Sequence, residues 1–263
     1  MSISTQGFEV FAQSLNGSVL SELKKATEEL CARFRLGEKD LLAHSVSIRE
    51  VMEANPHKNP DVSVDSVENE PFIIGNLCQF DRRFIRGILQ PKLWEIAALI
   101  LQKPVQELVY HFANITRKPA GIGPAISPHR DFPNQFICPG QSNFVRLLIP
   151  LEPMCSGNGG TGIEVGSHMI SDQDALNVAM PETGSLDLFY PELEPGDVLA
   201  IHPRVIHASP PNRSECDRCV FIVQFGTKGA LMRHCDDEAL SLLTVDEMLF
   251  NTSQDSLALR GSA

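Results

Sequence analysis

The chain has 263 residues, of which 43% are hydrophobic and 21% charged, ample apolar material for a core and unlike the composition of a disordered segment. A formal net charge of −11 gives no field-level attraction to nucleic acid or to an anionic membrane surface, so neither is expected as a partner. At about 100–200 residues per domain the length allows one large domain or two small ones, and we read one, spanning residues 1–263.

The opening MSISTQGFEVFAQSLNG lacks a basic leader region and a long apolar run, and no later stretch approaches the ~18 uninterrupted apolar residues of a membrane span. A cytoplasmic protein is expected. In SVLSELKKATEELCARF, from Ser18 to Phe34, Leu20, Leu23, Ala26, Leu30 and Phe34 recur at spacings of three and four, which predicts an amphipathic helix. DLLAHSVSIREVMEANP predicts a second helix ending at Pro56, and PKLWEIAALILQKP a third, bracketed by Pro91 and Pro104. Between them, HKNPDVSVDSVENEP is polar and reads as a loop. Residues 1–104 are therefore expected to be the helical part.

After Val105 the pattern changes to short β-branched and aromatic runs, ELVYHFANIT, FVRLLIPL, DVLAIH and CVFIVQF, separated by Gly, Pro, Asn and Ser clusters. Residues 105–230 read as a barrel or sandwich of antiparallel strands. CVFIVQF is apolar on both faces, so one face should meet the interior and the other the N-terminal helices. The tail, 231–263, should begin as a short helix and fray. The seven cysteines are scattered without the spacing of a disulfide framework and read as reduced thiols; Cys216 and Cys219, a lone CxxC, read as strand-edge thiols.

The chemistry concentrates in ISPHRDFPNQF, Ile126 to Phe136. In a strand, residues two apart share a face, so His129 and Asp131 can aim an imidazole and a carboxylate at one point. Two His and one carboxylate with open positions form the facial triad of non-haem Fe(II) oxygenases. The second histidine must come from EPGDVLAIHPRVIHASPPNRSECDRCVFIVQF, which offers His202 and His207. Arg218 opens a strand and shares a face with Val220, Ile222 and Gln224, where a guanidinium at the edge of an apolar cavity can hold a carboxylate through two parallel hydrogen bonds.

From about Asn114 to Gln224 these segments resemble the phytanoyl-CoA dioxygenase family of Fe(II)/2-oxoglutarate oxygenases, through PHRD, NFVRLLIPLEPMCSGNGGTGIEVGSH and GDVLAIHPRVIHASPPNRSECDR. The family pattern has a distal His followed by Ser at +2 and Arg at +11. His207 has Ser209 and Arg218 at those offsets, whereas His202 has Arg204 and Arg213. The resemblance implies an α+β chain, mainly β, with a double-stranded β-helix (jelly-roll, cupin-like) barrel flanked by N-terminal helices. It implies Fe(II) held by His129, Asp131 and His207, with 2-oxoglutarate and O2 as cosubstrates. The distal 2-oxoglutarate carboxylate would meet Arg218 and Ser209, with Asn114 a further contact. The family's Gly-Ser-His turn falls at Gly166 to His168, where the histidine is structural.

The implied reaction is oxidation, by default hydroxylation, of an aliphatic C–H bond of a small molecule, coupled to decarboxylation of 2-oxoglutarate to succinate and CO2. Desaturation, epimerisation or cyclisation at the same centre are alternatives, as is a cupin-like isomerase or a binding protein without redox turnover. A carboxylate at Asp131 disfavours halogenation. Phe132, Phe136, Gln135 and Arg204 flank the ligands and are candidate pocket walls. Arg146, within FVRLLIP, either meets an anionic substrate or reaches solvent.

Overall fold

The computed structural model describes residues 2–67, 69–133, 140–229 and 238–258. Among these, eleven strands form two antiparallel sheets. The strands are β1 (Phe8–Phe11), β2 (Ser45–Ser47), β3 (Pro71–Ile74), β4 (Leu108–Lys118), β5 (Ile126–His129), β6 (Phe144–Pro150), β7 (Gly162–Glu164), β8 (Leu188–Phe189), β9 (Val198–Ile201), β10 (His207–Ser209) and β11 (Arg218–Thr227). The larger sheet runs β1-β9-β6-β11-β4-β3-β2 and the smaller β5-β10-β7-β8. The expected helices are α2 (Gly17–Arg35) and α7 (Pro91–Leu101), and the tail helix is α9 (Val245–Ala258). The others are α1 (Ile3–Gln6), α3 (Lys39–Ala43), α4 (Ile48–Ala54), α5 (Leu77–Phe80), α6 (Arg82–Ile88) and α8 (Asp172–Asn177).

The central strand β11 lies between β4 and β6, and its alternation sorts the interior. Cys219, Phe221, Val223 and Phe225 join Leu23, Leu30, Phe84 and Trp94 of α2, α6 and α7 in the main hydrophobic core. Trp94 stacks at a tilt on Phe225 with ring centroids 4.6 Å apart and donates its indole N–H to Ile88 C=O. The opposite face of β11 looks into the space between the sheets, where Val220 packs with Leu148, Ile163 and Ile201. Both faces of CVFIVQF are thus covered, as its apolar pattern requires.

The single helix expected over residues 40–56 is instead α3, β2 and α4. Ser47 restarts the helix with a capping box: its hydroxyl accepts from Glu50 N–H while the Glu50 carboxylate accepts from Ser47 N–H. β2 meanwhile pairs with β3, so the helical half contributes β1, β2 and β3 to the large sheet. Strand pairing outweighs local helical periodicity here. The polar stretch after α4 is anchored by Val67, which joins Ile48, Met52 and Phe72 in a separate small core.

β4 carries one irregularity that matters for the site. Opposite β11 its register skips from Phe112 to Tyr110, leaving His111 as an extra residue. Tyr110 and Ala113 face the helices, whereas His111 reaches Gln224 beneath the cavity.

Candidate metal centre

β10 pairs with β5 so that His207 lies directly across from His129, and the register slips before Ser209 pairs with Ile126. The imidazoles face each other with centroids 4.1 Å apart. Asp131, two residues beyond His129 and already past the end of β5, turns its carboxylate back between them. Its Oδ1 lies 3.9 Å from His129 Nε2 and 3.9 Å from His207 Nε2. One donor atom from each residue lies within 4.8 Å of the other two. Each imidazole is oriented from behind: His129 Nδ1 lies 3.0 Å from Ser127 C=O and His207 Nδ1 3.1 Å from Val205 C=O. A carbonyl only accepts, so each ring carries a proton on Nδ1 and turns Nε2 toward the site. Burial foremost, with His207 adding to it, lowers His129 to about 4, leaving the ring neutral near pH 7.

Asp131 has no exposed surface, and its Oδ2 has no hydrogen-bond partner among the described residues. A buried carboxylate with one oxygen left unpartnered, set beside two imidazoles, is the donor set of a divalent-cation site. The three residues therefore fit a ferrous ion.

Arg146, on β6, reaches Asp131 Oδ1 with one guanidinium nitrogen and donates Nε–H to Gln224 Oε1 at 2.9 Å. Its plane lies over Phe112, 5.2 Å from the ring centroid. Because a guanidinium only donates, the Gln224 amide is fixed with oxygen toward Arg146 and nitrogen toward His111 Nδ1, at 2.9 Å. Burial lowers His111 to about 3, so it accepts as a neutral ring. Gly226 makes room for it, since a Cβ there would lie 2.1 Å from His111 Cε1. The guanidinium is thus engaged by a site carboxylate while it also lines the cavity, so it does not simply reach solvent. Arg146→Met is expected to weaken Fe(II) binding about 10–100-fold, the usual effect of losing an outer-shell partner, as measured by metal titration; unchanged affinity would show that Asp131 needs no such support.

The triad opens on a cavity of about 480 Å³ between the sheets, lined by His129, His207, Arg146, Asn114, Ser209 and Arg218 as well as apolar side chains of β6, β9 and β11. Arg218 is almost fully buried and donates to Gly159 C=O at 2.7 Å, while its Nε has no partner among the described residues. Burial lowers it to about 10. Residues from α4 and the following turn, including Glu50, Val51 and Lys58, cover the far side.

Several candidates lie elsewhere. Arg204 is not among the residues that line this cavity; it pairs with Asp172 at 2.6 Å. Phe132 is buried with Phe144 and Ala175 in a small cluster of its own. Gln135 and Phe136 lie outside the described residues. His168 is buried, with Nε2 3.1 Å from Ser4 C=O, the structural role expected of it. His202 faces His168, with centroids 5.0 Å apart, and accepts from Arg204 N–H at Nδ1.

Sequence reasoning missed three charged groups. Lys58 and Glu50 line the cavity, although both lie in segments read as surface helix and loop. Lys118, with no exposed surface, donates to Ser209 Oγ at 2.5 Å. Its signal was the period-two series Asn114, Thr116, Lys118, of which the first two line the cavity.

The family model described as Phytanoyl-CoA dioxygenase (PhyH) matches residues 3–220. Among solved structures, AviO1 from Streptomyces viridochromogenes Tue57 is 20% identical, with 87% of this chain and 93% of that chain covered at a TM-score of 0.66. The non-haem alpha-ketoglutarate-dependent carbocyclase SnoK from nogalamycin biosynthesis is 17% identical, covering 92% and 90% at a TM-score of 0.65. EctD from S. alaskensis with bound Fe is 18% identical, covering 88% and 76% at 0.65. No curated protein matches this chain in sequence. At these identities the structural likeness is one of fold.

Proposed function

Because the chain belongs to the phytanoyl-CoA dioxygenase family, matched over residues 3–220, we propose that it is a non-haem Fe(II)- and 2-oxoglutarate-dependent oxygenase that hydroxylates an aliphatic C–H bond of a small molecule. The observation that carries this reading is the convergence of His129, Asp131 and His207 on one point, with Arg218 and Ser209 on the wall of the same cavity. His129, Asp131 and His207 would hold the iron, and Fe and 2-oxoglutarate are the groups that EctD and SnoK point to by name. When bound, the ferrous ion supplies activation of dioxygen coupled to decarboxylation of 2-oxoglutarate to succinate and CO2.

The chain's own residues supply binding, orientation and dryness. Two neutral imidazoles and one carboxylate leave a divalent cation with net positive charge, which favours a chelating keto acid. Arg218 and Ser209 offer donors to a distal carboxylate, the requirement of a dicarboxylic cosubstrate, and Asn114 lines the same wall. Leu148, Ile201, Val220 and Ile222 exclude water from the reacting region. The substrate would enter beneath α4, between Val51 and Ile126. The helices and the large sheet share one hydrophobic core, which supports reading residues 1–263 as one catalytic domain. No helix among the described residues is long and apolar enough to cross a membrane.

The test is oxygen uptake coupled to CO2 release from 2-oxoglutarate by the Fe(II)-loaded protein, followed by product mass. Coupled turnover with a product heavier by one oxygen is the expected result. Loss of two hydrogens or unchanged mass assigns desaturation or isomerising chemistry to the same centre, and absence of any 2-oxoglutarate consumption rejects the oxygenase reading.

A further inference from the structure

Lys118 ends β4 directly opposite Arg218 of β11 in the sheet register. Burying an ammonium is costly unless it is paired with an anion, yet among the described residues its Nζ meets no carboxylate. It donates to Ser209 Oγ at 2.5 Å and to Pro210 C=O at 2.6 Å. The side chain passes close to Gly159, whose φ is +78° and where a Cβ would lie 2.8 Å from Lys118 Cδ and 2.9 Å from Pro210 C=O. Arg218, too, is held by a carbonyl and not by a carboxylate. Burial foremost, followed by the charges of Arg218 and Lys58, holds Lys118 well below the ordinary ammonium range. One end of the cavity is therefore backed by two buried basic side chains, neither of which meets a carboxylate among the described residues.

We propose that Lys118 is a positioning residue that acts through Ser209 to bind the distal carboxylate of the dicarboxylic cosubstrate. This rests on the 2-oxoglutarate reading above. An incoming carboxylate favours the protonated form of Lys118, and an ammonium has donors only, so in the Nζ···Oγ bond the serine oxygen then accepts and its own proton is free for another acceptor. Pro210 C=O also accepts from Lys118 Nζ, so the ammonium is held against this end of the strand by two acceptors. The hydroxyl proton is thereby turned into the cavity that Ser209 lines, where an ionised carboxylate is an acceptor only. Lys118 also adds a second positive charge behind Arg218, in surroundings where charge is poorly screened. Without the ammonium, Ser209 can donate to Pro210 C=O and present a lone pair to the incoming carboxylate.

Calorimetric titration of the full chain loaded with Mn(II), using 2-oxoglutarate and separately pyruvate, tests this. Pyruvate has the same keto-acid end and no distal carboxylate. Lys118→Met is expected to weaken 2-oxoglutarate binding about 10–100-fold, the range for a charge-assisted hydrogen bond, and to leave pyruvate binding within about twofold. In a Ser209→Ala background the same substitution should cost less, because the hydroxyl it orients is gone. Lys118→Gln keeps a donor to Ser209 without the charge and should fall between wild type and Lys118→Met; if Lys118→Met does not fold, Lys118→Gln carries the comparison of the two ligands. Equal weakening of both ligands, or unchanged 2-oxoglutarate affinity, overturns the proposal, and an undiminished loss in the Ser209→Ala background overturns its route through the serine. Should the wild-type protein bind pyruvate but gain nothing from the distal carboxylate of 2-oxoglutarate, the cosubstrate reading itself is wrong.

Discussion

Asp131→Ala and His207→Ala are each expected to abolish substrate-dependent succinate formation, and for different physical reasons. His207→Ala removes one imidazole donor and leaves the Asp131 and Arg146 pair intact, so the fold should survive and metal affinity should fall. Asp131→Ala removes the triad's carboxylate and leaves the Arg146 guanidinium facing two imidazoles. The local field then changes sign, from one that attracts a dication to one that repels it. The same substitution breaks a partly buried ion pair, for which a loss of stability of up to about 3–5 kcal/mol is the known range. Metal titration and chemical denaturation separate the two variants: both should lose metal, and Asp131→Ala should lose more stability. Near-wild-type turnover in either one would remove the triad from the chemistry.

Arg218→Ala carries the second large effect. The guanidinium is almost fully buried, held by Gly159 C=O and otherwise without a partner among the described residues. It is therefore oriented before any ligand arrives, and little ordering cost remains when a carboxylate binds. Its loss should raise the 2-oxoglutarate requirement by about 2–3 kcal/mol, roughly 30–150-fold. Turnover at saturating cosubstrate should change much less, because the interaction is made equally in the ground and transition states. Arg218→Lys should restore little, since an ammonium lacks the planar fork. Apparent affinity that does not move would transfer the role to Lys58 or Lys118.

Much of this site could be read from the chain because its parts follow strand periodicity. The offsets from His207 to Ser209 and Arg218 locate residues that the structure brings to one cavity, and the apolar alternation around Arg218 separates its helix-facing from its cavity-facing side. The His129 and Asp131 spacing pointed correctly to convergence through a partly mistaken premise. β5 ends at His129, so it is the turn after the strand, not the strand face, that brings the carboxylate back.

What escaped had no local signal. A lysine ending a strand reads as a solvated edge until the strand opposite places a buried arginine against it. Arg146 looked ambiguous because its partner, Asp131, becomes its neighbour only through packing of the two sheets. His111 carries no local signal either: an extra residue in β4, invisible to simple alternation, turns it toward Gln224. The split of the second expected helix has the same origin: Ser45–Ser47 carries no strong strand pattern and is extended because β3 pairs with it.

The small cluster of Ile48, Met52, Val67 and Phe72 is distinct from the large core that carries the central strands. Val51 of α4 and Ile126 of β5, the strand that ends at His129, both pack against this cluster, and both line the cavity. The cover of the cavity and one edge of the triad therefore share a footing, and a change of shape at Val51 is expected to be felt at His129 as well.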